Sequence, residues 1–323
     1  MDTRAKVGLV AAALLVVYVV WGSTYLAIRV VVEEMPPLVG MGGRFVAAGL
    51  LLGALLKLRG VDLRVTRAQL AGAALLGLLL PLLGNGFVAI GEDLGVTSGV
   101  AALLVAAVPL FVTFYRFLAG DWPSPWSVLG VVLGFAGLAW LVLGGRDQGD
   151  VPLAGAAIVI AASSFWAFGS WVQPRLTLPE NAFVLAVHEM WTGGVMMIAL
   201  GLLRGERLDP TTYGGETWLA WSYLVVFGSA LAFSAYVWLL ANAPIGLVAT
   251  YAYVNPVVAV LLGWLILSEQ ITSAVVVGGL VIVMAVAIVI TVERAPKRRK
   301  DVGPPAVPEA AGATAGGPPA RSR

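Results

Sequence analysis

VGLVAAALLVVYVVWGSTYLAIRVV, running from Val7 to Val31, carries Arg29 as its single charge. A helix of that length, at about 1.5 Å per residue, outspans the roughly 30 Å hydrocarbon core of a bilayer. The run stops at Glu33-Glu34-Met35-Pro36-Pro37, where charge coincides with helix-stopping proline, and a second apolar run follows over 38–57. Further runs fall at 68–91, 95–118, 124–144, 152–172, 182–203, 217–239, 245–267 and 271–291. The links between them are too short to hold a soluble domain. This pattern predicts an all-α integral membrane protein of ten transmembrane helices.

Composition agrees. Of 323 residues, 59% are hydrophobic and 12% charged, with a mean hydropathy of +0.92. Soluble domains carry about 25% charged residues, so this chain lacks the polar surface to cover a water-soluble globule. Cysteine is absent, which excludes disulfides, thiolate nucleophiles and Cys-based metal sites. No metal site and no cofactor is expected. Met1 to Lys6 followed by an apolar run has the outline of a signal peptide. Trp21 and Ser23-Thr24-Tyr25 stand where a small-residue cleavage site belongs, so an uncleaved first helix is expected.

The net charge is only +2, and its distribution matters more than its sum. With the N-terminus inside, the inner loops hold Arg4, Lys6, Lys57, Arg59, Arg64, Arg67, Arg116 and Arg175, and the basic cluster from Arg294 to Lys300 joins them. The outer loops hold Glu33, Glu34, Glu92, Asp93, Asp147, Asp150 and Glu269, against Arg146, Arg204 and Arg207. This bias places both termini in the cytoplasm and marks membrane topology, not nucleic-acid binding. The Pro/Gly/Ala tail has nothing to pack and is expected to be disordered.

The two halves echo each other. Trp21-Gly22-Ser23-Thr24 and Trp166-Ala167-Phe168-Gly169-Ser170 each sit late in the first helix of a five-helix set. Val108-Pro109-Leu110 and Asn255-Pro256-Val257 each sit in the fourth, and Gly130 corresponds to Gly278 in the fifth. Five is odd, so the second set enters the membrane from the opposite side. The expected units are 1–148 and 149–293, two inverted five-helix repeats around a central cavity, then a basic tail over 294–323. Secondary transporters are often built this way, with their site near the midplane.

Trp21-Gly22-Ser23-Thr24-Tyr25-Leu26-Ala27-Ile28-Arg29 resembles the first-helix signature of the EamA branch of the drug/metabolite transporter superfamily. Arg44-Phe45, Gly84-Asn85-Gly86, the Ser98 to Leu104 segment before Pro109, and Asn255-Pro256 with Ser268-Glu269-Gln270 extend the likeness over both halves. Ser268 replaces the family's usual glycine. The resemblance implies a ten-helix exporter of amino acids, metabolites or toxic compounds. It also implies a cavity lined by helices one to four and six to nine.

Polar groups in hydrocarbon are costly, so their placement is informative. Trp21, Thr24 and Tyr25 share one face of the first helix, and Ser163, Trp166 and Ser170 share one face of the sixth. Asn85 and Glu92 stand seven apart on the third, and Tyr251 and Asn255 four apart on the ninth. Together they offer aromatic rings for apolar or cationic cargo and hydrogen-bonding groups to orient it. Taken singly, each serves equally well as interhelical glue. Arg44 and Glu189 occupy matched places in the second helix of each half: Arg44 could hold a carboxylate, and Glu189, beside His188, could take up a proton. An internal ion pair or snorkelling to the interface competes with those roles. Pro109 and Pro256 are candidate hinges. Three Gly-xxx-Gly pairs (Gly49/Gly53, Gly95/Gly99, Gly130/Gly134) permit close helix approach, with a homodimer as one use.

No Walker motif and no His-Glu-x-x-His occurs, which argues against an ATP-driven pump and a zinc protease. The rival from another class is a membrane-embedded enzyme acting on lipid or peptide. Its nucleophile would be Ser163 or Ser170, with Glu189 and His188 as helpers. The expected partners are a small-molecule substrate and the lipid bilayer of the cell membrane.

Overall fold

The computed structural model describes residues 3–143 and 151–294, and in them every regular element is helical. The junction at 148/149 and the tail beyond Arg294 lie outside the described residues. In chain order the helices are α1 Val7–Val32, α2 Pro37–Leu58, α3 Arg67–Asp93, α4 Ser98–Leu118, α5 Pro125–Leu143, α6 Leu153–Arg175, α7 Ala182–Leu203, α8 Gly215–Asn242, α9 Tyr251–Leu267 and α10 Ser273–Arg294. Among the described residues nine of these are long and apolar enough to cross a membrane, and α9 is the short one. The chain is therefore an all-α multi-pass membrane protein.

The expected run over 245–267 is broken. A single helical turn, Ile245–Val248, precedes α9, with Ala249 and Thr250 between them. The Thr250 hydroxyl donates to the Leu247 carbonyl at 2.6 Å and competes with helix continuation there. α4 breaks too, between Ser98–Val105 and Val108–Leu118. Pro109, which has no N–H to give, opens its second segment. Pro256 instead lies inside α9, downstream of the break.

Three helices carry widened, π-helical turns: Val17–Trp21 in α1, Leu78–Gly86 in α3 and Leu224–Phe233 in α8. Pro81 inside the second of these removes a backbone donor, a direct cause of the wider winding. All three segments reach residues of the site described below.

α2 packs along α7 and α5 along α10. At the first contact Gly42 and Gly194 face each other's backbone. A Cβ on Gly42 would lie 2.7 Å from the Gly194 carbonyl, and one on Gly194 2.8 Å from that of Gly42. Such contact replaces the missing hydrophobic drive between helices in lipid. Of the Gly-xxx-Gly pairs, Gly95 is not on a helix face: with φ +97° it forms the left-handed turn between α3 and α4.

Carboxylates tie the face where α2, α4 and α8 begin. Helix N-termini leave backbone N–H groups unsatisfied and favour negative charge. Glu206 accepts from Leu38 N and Val39 N at 3.0 and 2.8 Å. Glu34 accepts from Gly214 N at 2.7 Å and the Thr217 hydroxyl at 2.6 Å. Glu269 accepts from Ser98 N and Ser98 Oγ at 2.8 and 3.0 Å and from Gly99 N at 3.2 Å. Each acid comes from a loop remote in sequence from the helix it caps.

Candidate functional site

A cavity that opens to its surroundings, with about 490 Å³ of space not filled by protein when its open mouth is included, lies between α1, α3, α4, α6 and α9. Seven of the twelve residues singled out from the sequence line it: Trp21, Thr24, Tyr25, Asn85, Ser163, Trp166 and Tyr251. Ile28, Gly84, Val88, Val105 and Ala162 complete the wall, and no charged side chain is among them.

Helical spacing explains the gathering. Trp21, at the end of the widened turn of α1, directs its indole N–H to the Gly228 carbonyl of α8 at 3.1 Å. Its ring meets Trp166 edge-on at 5.4 Å and Tyr251 edge-on at 5.5 Å. Gly84 is required where it stands, since a Cβ there would lie 2.6 Å from the Trp166 ring. Thr24 donates to the Trp21 carbonyl at 2.8 Å, and Ser163 to the Val159 and Leu104 carbonyls at 3.0 and 3.1 Å. These hydroxyls remain able to accept from a bound molecule.

Behind the wall stands Tyr236 of α8, which the sequence reading missed. It is 2% exposed, accepts from Trp166 Nε1 at 3.0 Å and bonds Ser170 Oγ at 2.7 Å. Its ring lies 4.8 Å from Trp21, 5.4 Å from Trp166 and 5.8 Å from Tyr251. A signal existed: Ser229 and Tyr236 stand seven apart on α8, the same spacing as Asn85 and Glu92 on α3.

The other five candidates lie off the lining. Ser170 supports it from behind, between the Trp166 carbonyl at 2.8 Å and Tyr236. Asn255, with its amide nitrogen turned toward α1, donates to Tyr18 O at 3.1 Å and Tyr251 O at 3.3 Å, so it joins helices. Arg44 is buried with Nε on Ser229 Oγ at 2.7 Å, Nη1 3.7 Å from Met41 Sδ, and its guanidinium 4.9 Å from the Phe45 ring centre. Among the described residues it has no ion-pair partner. Glu92 and Glu189 are fully buried, and among the described residues no donor reaches the carboxyl oxygens of either. Glu92 shares the face of Asn85 but lies two turns, roughly 10 Å, beyond it along α3. No group of three potential metal ligands occurs among the described residues.

Neither serine of the enzyme alternative meets its helpers. Ser163 and Ser170 are bonded as above, while His188 Nδ1 faces the Val184 carbonyl at 2.8 Å beside the groove between α2 and α7. What remains is an uncharged, aromatic-walled chamber with a few hydroxyl and amide groups. It suits reversible binding of a small molecule through ring faces and hydrogen bonds.

The family model of EamA-like transporters matches the chain twice, over residues 8–143 and 153–291. An uncharacterized inner membrane transporter of Escherichia coli K12, YedA, is 45% identical over 253 residues, covering 78% of this chain and 80% of that protein. The uncharacterized transporter YoaV of Bacillus subtilis is 24% identical, covering 82% and 91%. A solved crystal structure superposes with a TM-score of 0.62 at 20% identity, over 91% of this chain and all of the other, a likeness of fold.

Proposed function

The chain belongs to the EamA-like transporter family, and from that premise we propose that it is a secondary transporter exporting small metabolites, amino acids or drugs by alternating access. The observation that carries the reading is the chamber between α1, α3, α4, α6 and α9, walled by Trp21, Tyr25, Trp166 and Tyr251. Rings on several sides favour cargo that is apolar, aromatic or cationic, and Thr24, Asn85 and Ser163 orient it.

Ten spans in two inverted five-helix repeats complete the proposal, with α9 and its preceding turn as the ninth span. The twofold match of one family model supports two homologous halves. The breaks before Val108 and before Tyr251, in the fourth helix of each half, support a shared plan. An odd number of spans per half inverts the second. The basic loops then put both termini in the cytoplasm, and a reporter fused at Lys300 is expected to read cytoplasmic.

The test is uptake into inside-out proteoliposomes across a panel of amino acids and cationic drugs. Trp166→Ala and Tyr251→Ala are expected to lower transport several-fold more than abundance in the membrane. Loss of abundance in proportion to transport would make those rings packing elements only.

A further inference from the structure

Glu92 is the penultimate residue of α3. Its side chain is completely buried, and neither carboxyl oxygen receives a hydrogen bond among the described residues. A cation is nearby but engaged elsewhere. Arg29 of α1 donates Nη1 to the backbone carbonyl of Glu92 at 2.5 Å, while its Nε pairs with Glu33 at 3.4 Å. Within electrostatic reach of Glu92 are Tyr25 of the cavity wall and Glu269. The Glu269 carboxylate holds the start of α4, six residues on from Glu92, through Ser98 and Gly99. An unpaired carboxyl group thus lies within reach of both a residue of the chamber wall and the clamp that ties the α9–α10 turn to α4.

We infer that Glu92 is a proton-binding site whose charge sets the Glu269 clamp. A buried carboxyl group without a donor is costly as an anion and cheap as an acid. Neutral Glu92 leaves Glu269 free to cap α4, as seen here. Ionised Glu92 repels Glu269 and draws water toward itself, which releases Ser98 and Gly99 and opens this face. The proton passes between the Glu92 carboxyl and water, and no other bond is made or broken. The titratable and charged groups facing Glu92 are Tyr25 and Arg29 from α1 and Glu269 from the α9–α10 turn. Asp93 follows it on its own helix, within reach of Arg29 and Arg204, and the first two turns of α2, α4 and α6, which pack against this end of α3, carry no charged group.

Glu189 is equally unpartnered, but the group within its reach is Tyr236 behind the chamber, and it neighbours no such clamp. The inference rests on the exporter reading for its use: a proton taken from one side closes that face and is given up on the other.

The chain has no cysteine, so a pair introduced at the exposed Thr97 and Ile271 can carry spin labels across the clamp. Distances are measured in the full chain reconstituted in lipid, with protons as the only ligand. The window runs from about pH 5.5 to about pH 8.5, above the ordinary glutamate value of about 4.3. The expected result is one short distance at the acid end, with a longer one growing toward the alkaline end. The closed-to-open ratio then changes by up to about tenfold per pH unit. Glu92→Gln should hold the short distance throughout, Glu92→Asp should respond with a displaced midpoint, and Glu189→Gln should match the parent. A Glu92→Gln protein that keeps the parent response overturns the inference, as does a Glu189→Gln protein that loses it. Should Glu92→Gln not fold, Glu92→Asp decides, and an undisplaced midpoint overturns the inference. Because the assay contains no cargo, failure of every compound to move in the transport panel would strike the exporter reading and leave this result standing.

Discussion

Replacing Tyr236 by Phe removes one oxygen atom from behind the chamber and leaves its ring in place. The hydroxyl holds two partners, Trp166 Nε1 at 3.0 Å and Ser170 Oγ at 2.7 Å. Ser170 Oγ gives its one proton to the Trp166 carbonyl at 2.8 Å, so it loses only the hydrogen bond that Tyr236 donates to it. The Trp166 indole N–H loses its acceptor in a buried, largely apolar setting. Interhelical hydrogen bonds in membranes contribute on average about 0.6 kcal/mol and at most about 1.7. An orphaned buried donor costs about 1–3 kcal/mol. The orphaned indole dominates, and the expected destabilisation is about 1–2 kcal/mol, or about a fivefold to thirtyfold shift in the folded ratio. Unfolding of the purified protein in detergent measures it, and a double-mutant cycle with Ser170→Ala isolates the pair, with an expected coupling of about 0.5–1.5 kcal/mol. Transport should weaken as well, because an untethered Trp166 no longer holds its face to the chamber. A Tyr236→Phe protein as stable as the parent, with effects additive to those of Ser170→Ala, would refute the reasoning.

Two further predictions concern packing and the loop tethers. Gly42→Ala should destabilise the α2–α7 contact by about 1–3 kcal/mol, because the new methyl meets backbone that cannot rotate away. Gly43→Ala, with the Trp221 ring 3.8 Å off as its nearest neighbour, should be tolerated, and equal melting temperatures for the two variants would count against the close approach. The Thr217 hydroxyl and the Gly214 N–H hold the Glu34 carboxyl below its usual range. A lowered folded-state value contributes stability above the ordinary glutamate range and loses it as pH falls through the lowered value. The 204–214 loop should therefore become open to proteolysis only below about pH 4, and an unchanged profile in Glu34→Gln would show that Glu34 is not the tether.

The amino-acid sequence by itself determined the solvent, because apolar runs of spanning length and a shortage of charge admit only a bilayer. It also determined the faces that meet at the chamber: Trp21, Thr24 and Tyr25 recur at helical spacing, as do Ser163 and Trp166, and a polar face in hydrocarbon must turn inward. Periodicity assigns a residue to a face, not to a depth or a neighbour. Glu92 shares a face with Asn85 yet lies two turns away with Arg29 on its backbone carbonyl, and Asn255 shares one with Tyr251 yet bonds across to α1. Those placements come from helix tilt, widened turns and broken helices, which depend on packing partners remote along the chain. Tyr236 meets Trp166 from 70 residues away and Glu269 meets Ser98 from 171. The tertiary structure alone decided them, since a side chain becomes a wall, a support or a clamp only through what the fold sets against it.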